Sequence, residues 1–150
     1  MRMFPLFVDI SRWNVVVVGG GNIGVRRVRS LLQFECSITV IAPVVRSEIE
    51  IWDREGKIQW IAKEFQNEDL ANANMVMAVT QKKTVNDQVE NEARKRGMLF
   101  NRCDKKSACD FHFPGLIVKD QVVIGVNSGG NDHWKAANIT AGIRNKLYEE

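Results

Sequence analysis

Val15-Val16-Val17-Val18-Gly19-Gly20-Gly21-Asn22-Ile23-Gly24 passes from four β-branched residues through three consecutive glycines into a helical pattern. Four valines in a row suit a strand buried on both faces, as in a parallel sheet. Gly19 can take a tight turn, Gly21 lets a diphosphate approach the backbone, and Gly24 lets the helix lie close to the strand. The helix N-terminus that follows offers free N–H groups and a partial positive charge to an anion. Strand, glycine spacing and helix together predict a dinucleotide-binding turn; a glycine-rich loop without a ligand is the plainer alternative.

The rest of the chain extends this pattern. A helix is expected over Asn22 to Gln33, with Val28, Leu31 and Leu32 facing inward, and a second buried strand over Ser37 to Ile41, ended by Ala42-Pro43. Val44 to Glu55 reads as a helix closed by Gly56, and Lys57 to Ile61 as a strand nearer an edge. Met75 to Val79 is a fourth strand with Thr80 at its C-terminal end, where cofactor-binding residues of such folds lie. Val85, Val89 and Ala93 recur every four residues, so a helix runs from Lys83 to Arg96 and Gly97 stops it. Met98 to Asn101 is a fifth strand.

Strands alternating with helices at this spacing imply right-handed βαβ units and a parallel sheet. The fold class is therefore α/β, a Rossmann-like parallel sheet of about five strands. The alternation breaks near residue 110: Phe113–Lys119 and Gln121–Asn127 read as a hairpin, and Lys135–Glu149 as a closing helix. A two-stranded ribbon is marginal alone, so the hairpin and helix are expected to pair with a second copy in a homodimer. The expected division is a nucleotide-binding domain over residues 1–111 and a dimerisation segment over 112–150.

Bulk properties narrow the class. With 150 residues, 45% hydrophobic and 26% charged, the chain is of ordinary globular composition. No stretch approaches the ~18 apolar residues of a membrane helix, and Met1 to Phe7 lacks a signal-peptide apolar run. A cytoplasmic location without a membrane partner is expected. The net charge of +3 is too small to argue for nucleic acid. Cys36, Cys103 and Cys109 are an odd count without ligand spacing, so reduced thiols and no protein-bound metal are expected.

Charge is concentrated late. Arg94, Lys95, Arg96, Arg102, Lys105 and Lys106 crowd around Asp104. A helix end explains the first three, since cations favour helix C-termini, but not the others. Beyond the second strand, Val40-Ile41-Ala42-Pro43-Val44 offers no acidic residue for ribose hydroxyls. Arg46 is compatible with a 2′-phosphate or with a helix surface, which leaves NAD and NADP open at this point.

These residues jointly resemble a known family. Phe4-Pro5-Leu6-Phe7, Val18-Gly19-Gly20-Gly21, Arg26-Arg27-Val28-Arg29-x-Leu31-Leu32, Thr39-Val40-Ile41-Ala42-Pro43, Val85-Asn86, Asn101-x-x-Asp104, Asp110-Phe111-x-Phe113-Pro114 and Ser128-Gly129-Gly130 are similar to the dehydrogenase–ferrochelatase module of siroheme synthase. The likeness covers residues 3–130. It implies NAD-dependent dehydrogenation of precorrin-2 to sirohydrochlorin, a homodimer, and in some members insertion of ferrous iron by lyase chemistry. It implies further that NAD is held by Asn22 and Ile23 after the third glycine and by Pro43 and Val44 after the second strand.

By the same resemblance Asp104 is the catalytic carboxylate. Dehydrogenating a reduced tetrapyrrole removes a proton as hydride leaves, and a carboxylate just past the fifth strand lies on the rim where such folds bind ligands. An Asx-turn or an ion pair with Lys105 is the alternative role. Arg102, Lys105 and Lys106 would meet the substrate's carboxylates, and Ser128 would lie near the tetrapyrrole or serve as a simple turn residue. His112, between Phe111 and Phe113, suits a structural role or iron; nothing singles out His133.

Three departures qualify the likeness. Asn131-Asp132-His133-Trp134 stands where the family continues with Ser-Pro, the family's further helical segment has no counterpart up to Glu150, and Arg102-Cys103 replaces a small apolar pair before Asp104. They bear on metal insertion more than on dinucleotide binding. Two non-catalytic readings compete: an NAD-sensing domain, and a tetrapyrrole carrier.

Overall fold

The computed structural model describes residues 3–129 and 132–149, without the His133 side chain. The valine run lies in β1 (Asn14–Gly20), where Val15 to Val18 are all buried. Such a strand needs parallel neighbours on both sides, and it has them: β2 (Ser37–Val45) and β4 (Met75–Ala78). With β3 (Gln59–Ile61) beyond β2 and β5 (Leu99–Arg102) beyond β4, the parallel sheet runs β3-β2-β1-β4-β5.

The helices lie where the apolar spacing puts them. α1 (Asn22–Leu31) buries Gly24, Val25, Val28 and Leu31, one face of a helix. α2 (Ser47–Arg54) buries Ile49. α3 (Lys83–Arg96) buries Val89 and Ala93 in a cluster with Val76, Phe100 and Leu70, and ends at Gly97 with φ 64°, the left-handed cap its sequence predicts.

The largest boundary difference from the sequence reading lies between β2 and α2. β2 continues through Pro43 to Val45 instead of ending at Ala42-Pro43, and α2 begins only at Ser47. Pairing decides this. Val18 faces Ile41 but Gly20 faces Val45, so Ala42 to Val44 bulge opposite Gly19 alone. The missing Pro43 N–H falls in that bulge, and the Arg46 N–H, donating to the Gly20 carbonyl at 3.0 Å, restores the connection.

The chain divides into two compact units. Asp9–Phe111 forms the sheet unit. The other unit comprises the described residues of Met1–Val8 and His112–Glu150. It contains an antiparallel hairpin of β6 (Gly115–Lys119) and β7 (Val122–Val126), turning at Asp120, with α4 (His133–Tyr148) packed on β6. Asp132 caps α4 by accepting from the Lys135 N–H at 2.8 Å. Thr140 meets Gly115, while Arg144 and Tyr148 donate to the carbonyls of Leu116 and Val118. Among the described residues no helix is long and apolar enough to cross a membrane.

In the sheet the strand order reverses between β1 and β4. The C-terminal ends of strands at such a reversal border the crevice in which open α/β sheets bind ligands.

Candidate functional site

The β1–α1 turn is shaped by close backbone packing. Gly19 has φ 118°, and a methyl group there would sit 2.9 Å from the Val79 carbonyl and 3.0 Å from the Thr80 nitrogen. A methyl on Gly24 would run into the Gly19 carbonyl oxygen. Gly21 is different: it is extended, at φ −81° and ψ −167°, and a methyl group would meet nothing within 4 Å.

The space in front of Gly21 faces a helix end with no competitor. No side chain caps α1 and its first turn holds no acidic residue. The opening N–H groups of a helix, here those of Asn22, Ile23 and Gly24, have no acceptor within the helix. An open glycine, unclaimed donors and a positive helix terminus fit a dinucleotide's diphosphate. Pro43 and Val44 lie at the C-terminal end of β2, and Val44 is 80% exposed, an apolar side chain left open on this rim.

The opposite wall is the segment after β4. Thr80 is tied to Asn86, which is fully buried on α3. The Thr80 hydroxyl donates to Asn86 Oδ1 at 2.8 Å, and Asn86 Nδ2 donates to the Thr80 carbonyl at 3.0 Å. Cys103, just past β5, extends the β4 pairing through its N–H to the Ala78 carbonyl at 3.1 Å. That brings Asp104 to the same rim, where the nearby Asn86 amide helps to lower its carboxyl pKa. Gly19, Thr80 and Asn86 are thus linked in series, and Asp104 stands on the same rim.

Asp104 is gripped by its neighbour. Arg102 Nε and Nη2 donate to Asp104 Oδ1 and Oδ2 at 2.6 and 2.8 Å, a bidentate pair. The remaining nitrogen, Nη1, donates to Asp87 Oδ1 at 2.9 Å and Glu90 Oε2 at 2.6 Å, both on α3. The Arg102 side chain is 0% exposed. Its hydrogen bonds outweigh the opposing effect of burial and hold the Asp104 carboxyl at about 2, below its usual 3.8; Asn86 adds to this. The stabilisation from this pair is therefore complete above about pH 4 and is lost as pH falls through about 2.

Other expected site residues are placed as follows. Lys105 and Lys106 are exposed beside Asp104. Ser128 belongs to the second unit, where its hydroxyl donates to the Asp132 carbonyl at 2.7 Å; Gly130 and Asn131 lie outside the described residues. Arg102, expected to meet substrate, is buried, and its nitrogens are engaged by three acidic side chains. Asp87 and Glu90 were not among the expected site residues. Their signal is an i, i+3 acidic pair on the helix beside the fifth strand, where a buried arginine requires partners.

A parallel sheet in this order, with an open glycine and an uncapped first helix, defines a dinucleotide-binding α/β protein. The NAD(P)-binding family model matches residues 6–115, and the chain belongs to that family. It is 35% identical over 130 residues to a siroheme synthase of Actinobacillus pleuropneumoniae serotype 7, covering 87% of this chain and 27% of the relative. A siroheme synthase of Photorhabdus laumondii is 35% identical over 147 residues, covering 98% of this chain and 30% of the relative. The chain thus spans less than a third of the length of these relatives. Among solved structures, SirC, a precorrin-2 dehydrogenase, superposes with a TM-score of 0.85 at 26% identity, covering 96% of this chain and 70% of that one.

Proposed function

We propose that the chain oxidises precorrin-2 to sirohydrochlorin with NAD as acceptor, within siroheme biosynthesis. The observation that carries this reading is the one sheet rim on which the open Gly21 turn, the Thr80–Asn86 pair and the Arg102-held Asp104 carboxylate stand together. Likeness to siroheme synthases and to a precorrin-2 dehydrogenase supports the substrate and the choice of NAD.

Bound NAD supplies the hydride acceptor. The chain's own residues do the rest. The N–H groups of Asn22, Ile23 and Gly24 bind the diphosphate, and Pro43 and Val44 border the adenosine half. Asp104 faces the macrocycle with a negative charge that stabilises the cation developing as hydride leaves, and it accepts hydrogen bonds from pyrrole N–H groups, while the proton lost with the hydride passes from the oxidised macrocycle to solvent water. Lys105 and Lys106 are the exposed cations for substrate carboxylates.

The reading includes a homodimer in the cytoplasm. The second unit leaves Phe4, Leu6, Phe7 and Trp134 each more than 70% exposed, apolar area suited to a second copy. The testing experiment mixes the purified chain with precorrin-2 and follows absorbance with and without NAD, then after ferrous ion is added. One NADH formed per sirohydrochlorin is expected. NAD binding without tetrapyrrole binding would instead identify a sensor. Tetrapyrrole binding without oxidation would identify a carrier. A spectral change on adding ferrous ion after oxidation would add metal insertion to the activity.

A further inference from the structure

Arg102 occupies a position from which an exposed cation would greet an anionic substrate, yet its side chain is buried. Its planar fork holds both oxygens of Asp104, so the carboxylate cannot turn about its own axis without breaking two charge-assisted bonds. The other end of the same guanidinium is pinned to α3 by Asp87 and Glu90, whose side chains are 39% and 20% exposed. We propose that Arg102, anchored on α3 by Asp87 and Glu90, is a positioning residue that fixes the orientation of Asp104 and holds it as a permanent negative charge during oxidation. This rests on the assignment of Asp104 to the substrate-facing site.

The surroundings favour such a role. Around Arg102 stand three carboxylates: Asp87 and Glu90 from α3, and Asp104 beyond β5. Asp87 is shared with Lys83 at 2.6 Å. Asn86 faces Asp104 from α3. Cys103 and Cys109 lie beside the pair as thiols pushed up by burial, Cys109 bonded to the Arg102 backbone. Arg27 on α1 interacts electrostatically with both cysteines. Lys105 and Lys106 are exposed and adjacent in sequence. Without the guanidinium, three like charges would repel at short range, and proton uptake by Asp104 would become easier. A lysine keeps the charge but has no fork, so it cannot fix the plane of the carboxylate.

The test is a carbon-13 titration of the Asp104 carboxyl in the full chain, identified by its loss in Asp104→Asn, combined with the pH profile of kcat for NADH formation. In Arg102→Gln the Asp104 midpoint is expected to rise by about 1–3 pH units, and the acid limb of kcat to move with it, while NAD affinity stays unchanged. In Arg102→Lys the midpoint is expected to stay closer to wild type while kcat remains low. Should Arg102→Gln fail to fold, the Asp87→Asn/Glu90→Gln double variant is read instead: lower kcat with Asp104 still titrating low supports the anchor. An unchanged Asp104 midpoint in folded Arg102→Gln, or an unchanged kcat in the double variant, overturns the proposal. Wild-type turnover by Asp104→Asn would overturn the catalytic assignment while leaving the titration to judge the clamp.

Discussion

Asp104→Asn is expected to slow NADH formation from precorrin-2 by about a hundred- to a thousand-fold, the usual loss when a preorganised electrostatic group is removed from a transition state. Asparagine keeps the size of the side chain and one acceptor oxygen, so Arg102 retains a partner there as well as Asp87 and Glu90. What disappears is the charge. NAD affinity should be unchanged, because the diphosphate is bound by the opening of α1 and not by this residue. Stability at neutral pH should fall by at most about 2 kcal/mol, given a carboxyl held at about 2 and the screening allowed by its 32% exposure. Since that carboxyl lies below its usual range, the stability difference from wild type should shrink as pH falls toward 2. Initial rates together with urea unfolding at two pH values check all of this, and an unaltered rate would remove Asp104 from the chemistry.

Gly19→Ala is expected to destabilise the sheet unit by about 3 kcal/mol, read as a lowered urea midpoint. Two costs coincide at this residue. A φ of 118° is strained for any side chain. The added methyl would also press on the Val79 carbonyl and the Thr80 nitrogen, backbone atoms that cannot rotate aside. Displacing Thr80 would disturb its bonds to Asn86 and through them Asp104, so the surviving folded protein should also turn over slowly. A loss below about 1 kcal/mol would mean that the turn is looser than its packing indicates.

The parts legible in the sequence are those set by local pattern. The valine run fixes β1 because only a strand covered on both faces tolerates it, and α3 is bounded correctly because its four-residue spacing stops at a glycine suited to φ 64°. The end of β2 was not legible, since Pro43 looks like a terminator until the bulge opposite Gly19 absorbs its missing donor. The glycine turn could be read from spacing alone, and the place of Asp104 on the sheet rim from its position after the fifth strand. The role of Arg102 could not. A sequence does not distinguish an exposed arginine from one buried among acids, and its α3 partners lie 15 and 12 residues away, reached only when α3 packs on the sheet.

The central claim is that the opening of α1 at Gly21 holds the diphosphate of NAD. Gly21→Ala isolates it, because the new methyl would enter empty space at an ordinary φ of −81° and should leave the fold undisturbed. Calorimetric titration of NAD into wild type and Gly21→Ala is the direct measurement. One NAD per wild-type chain is expected, with binding weakened at least about tenfold, roughly 1.4 kcal/mol, in a variant of unchanged melting temperature. Equal affinity in the two proteins, or no binding by wild type, would contradict the account.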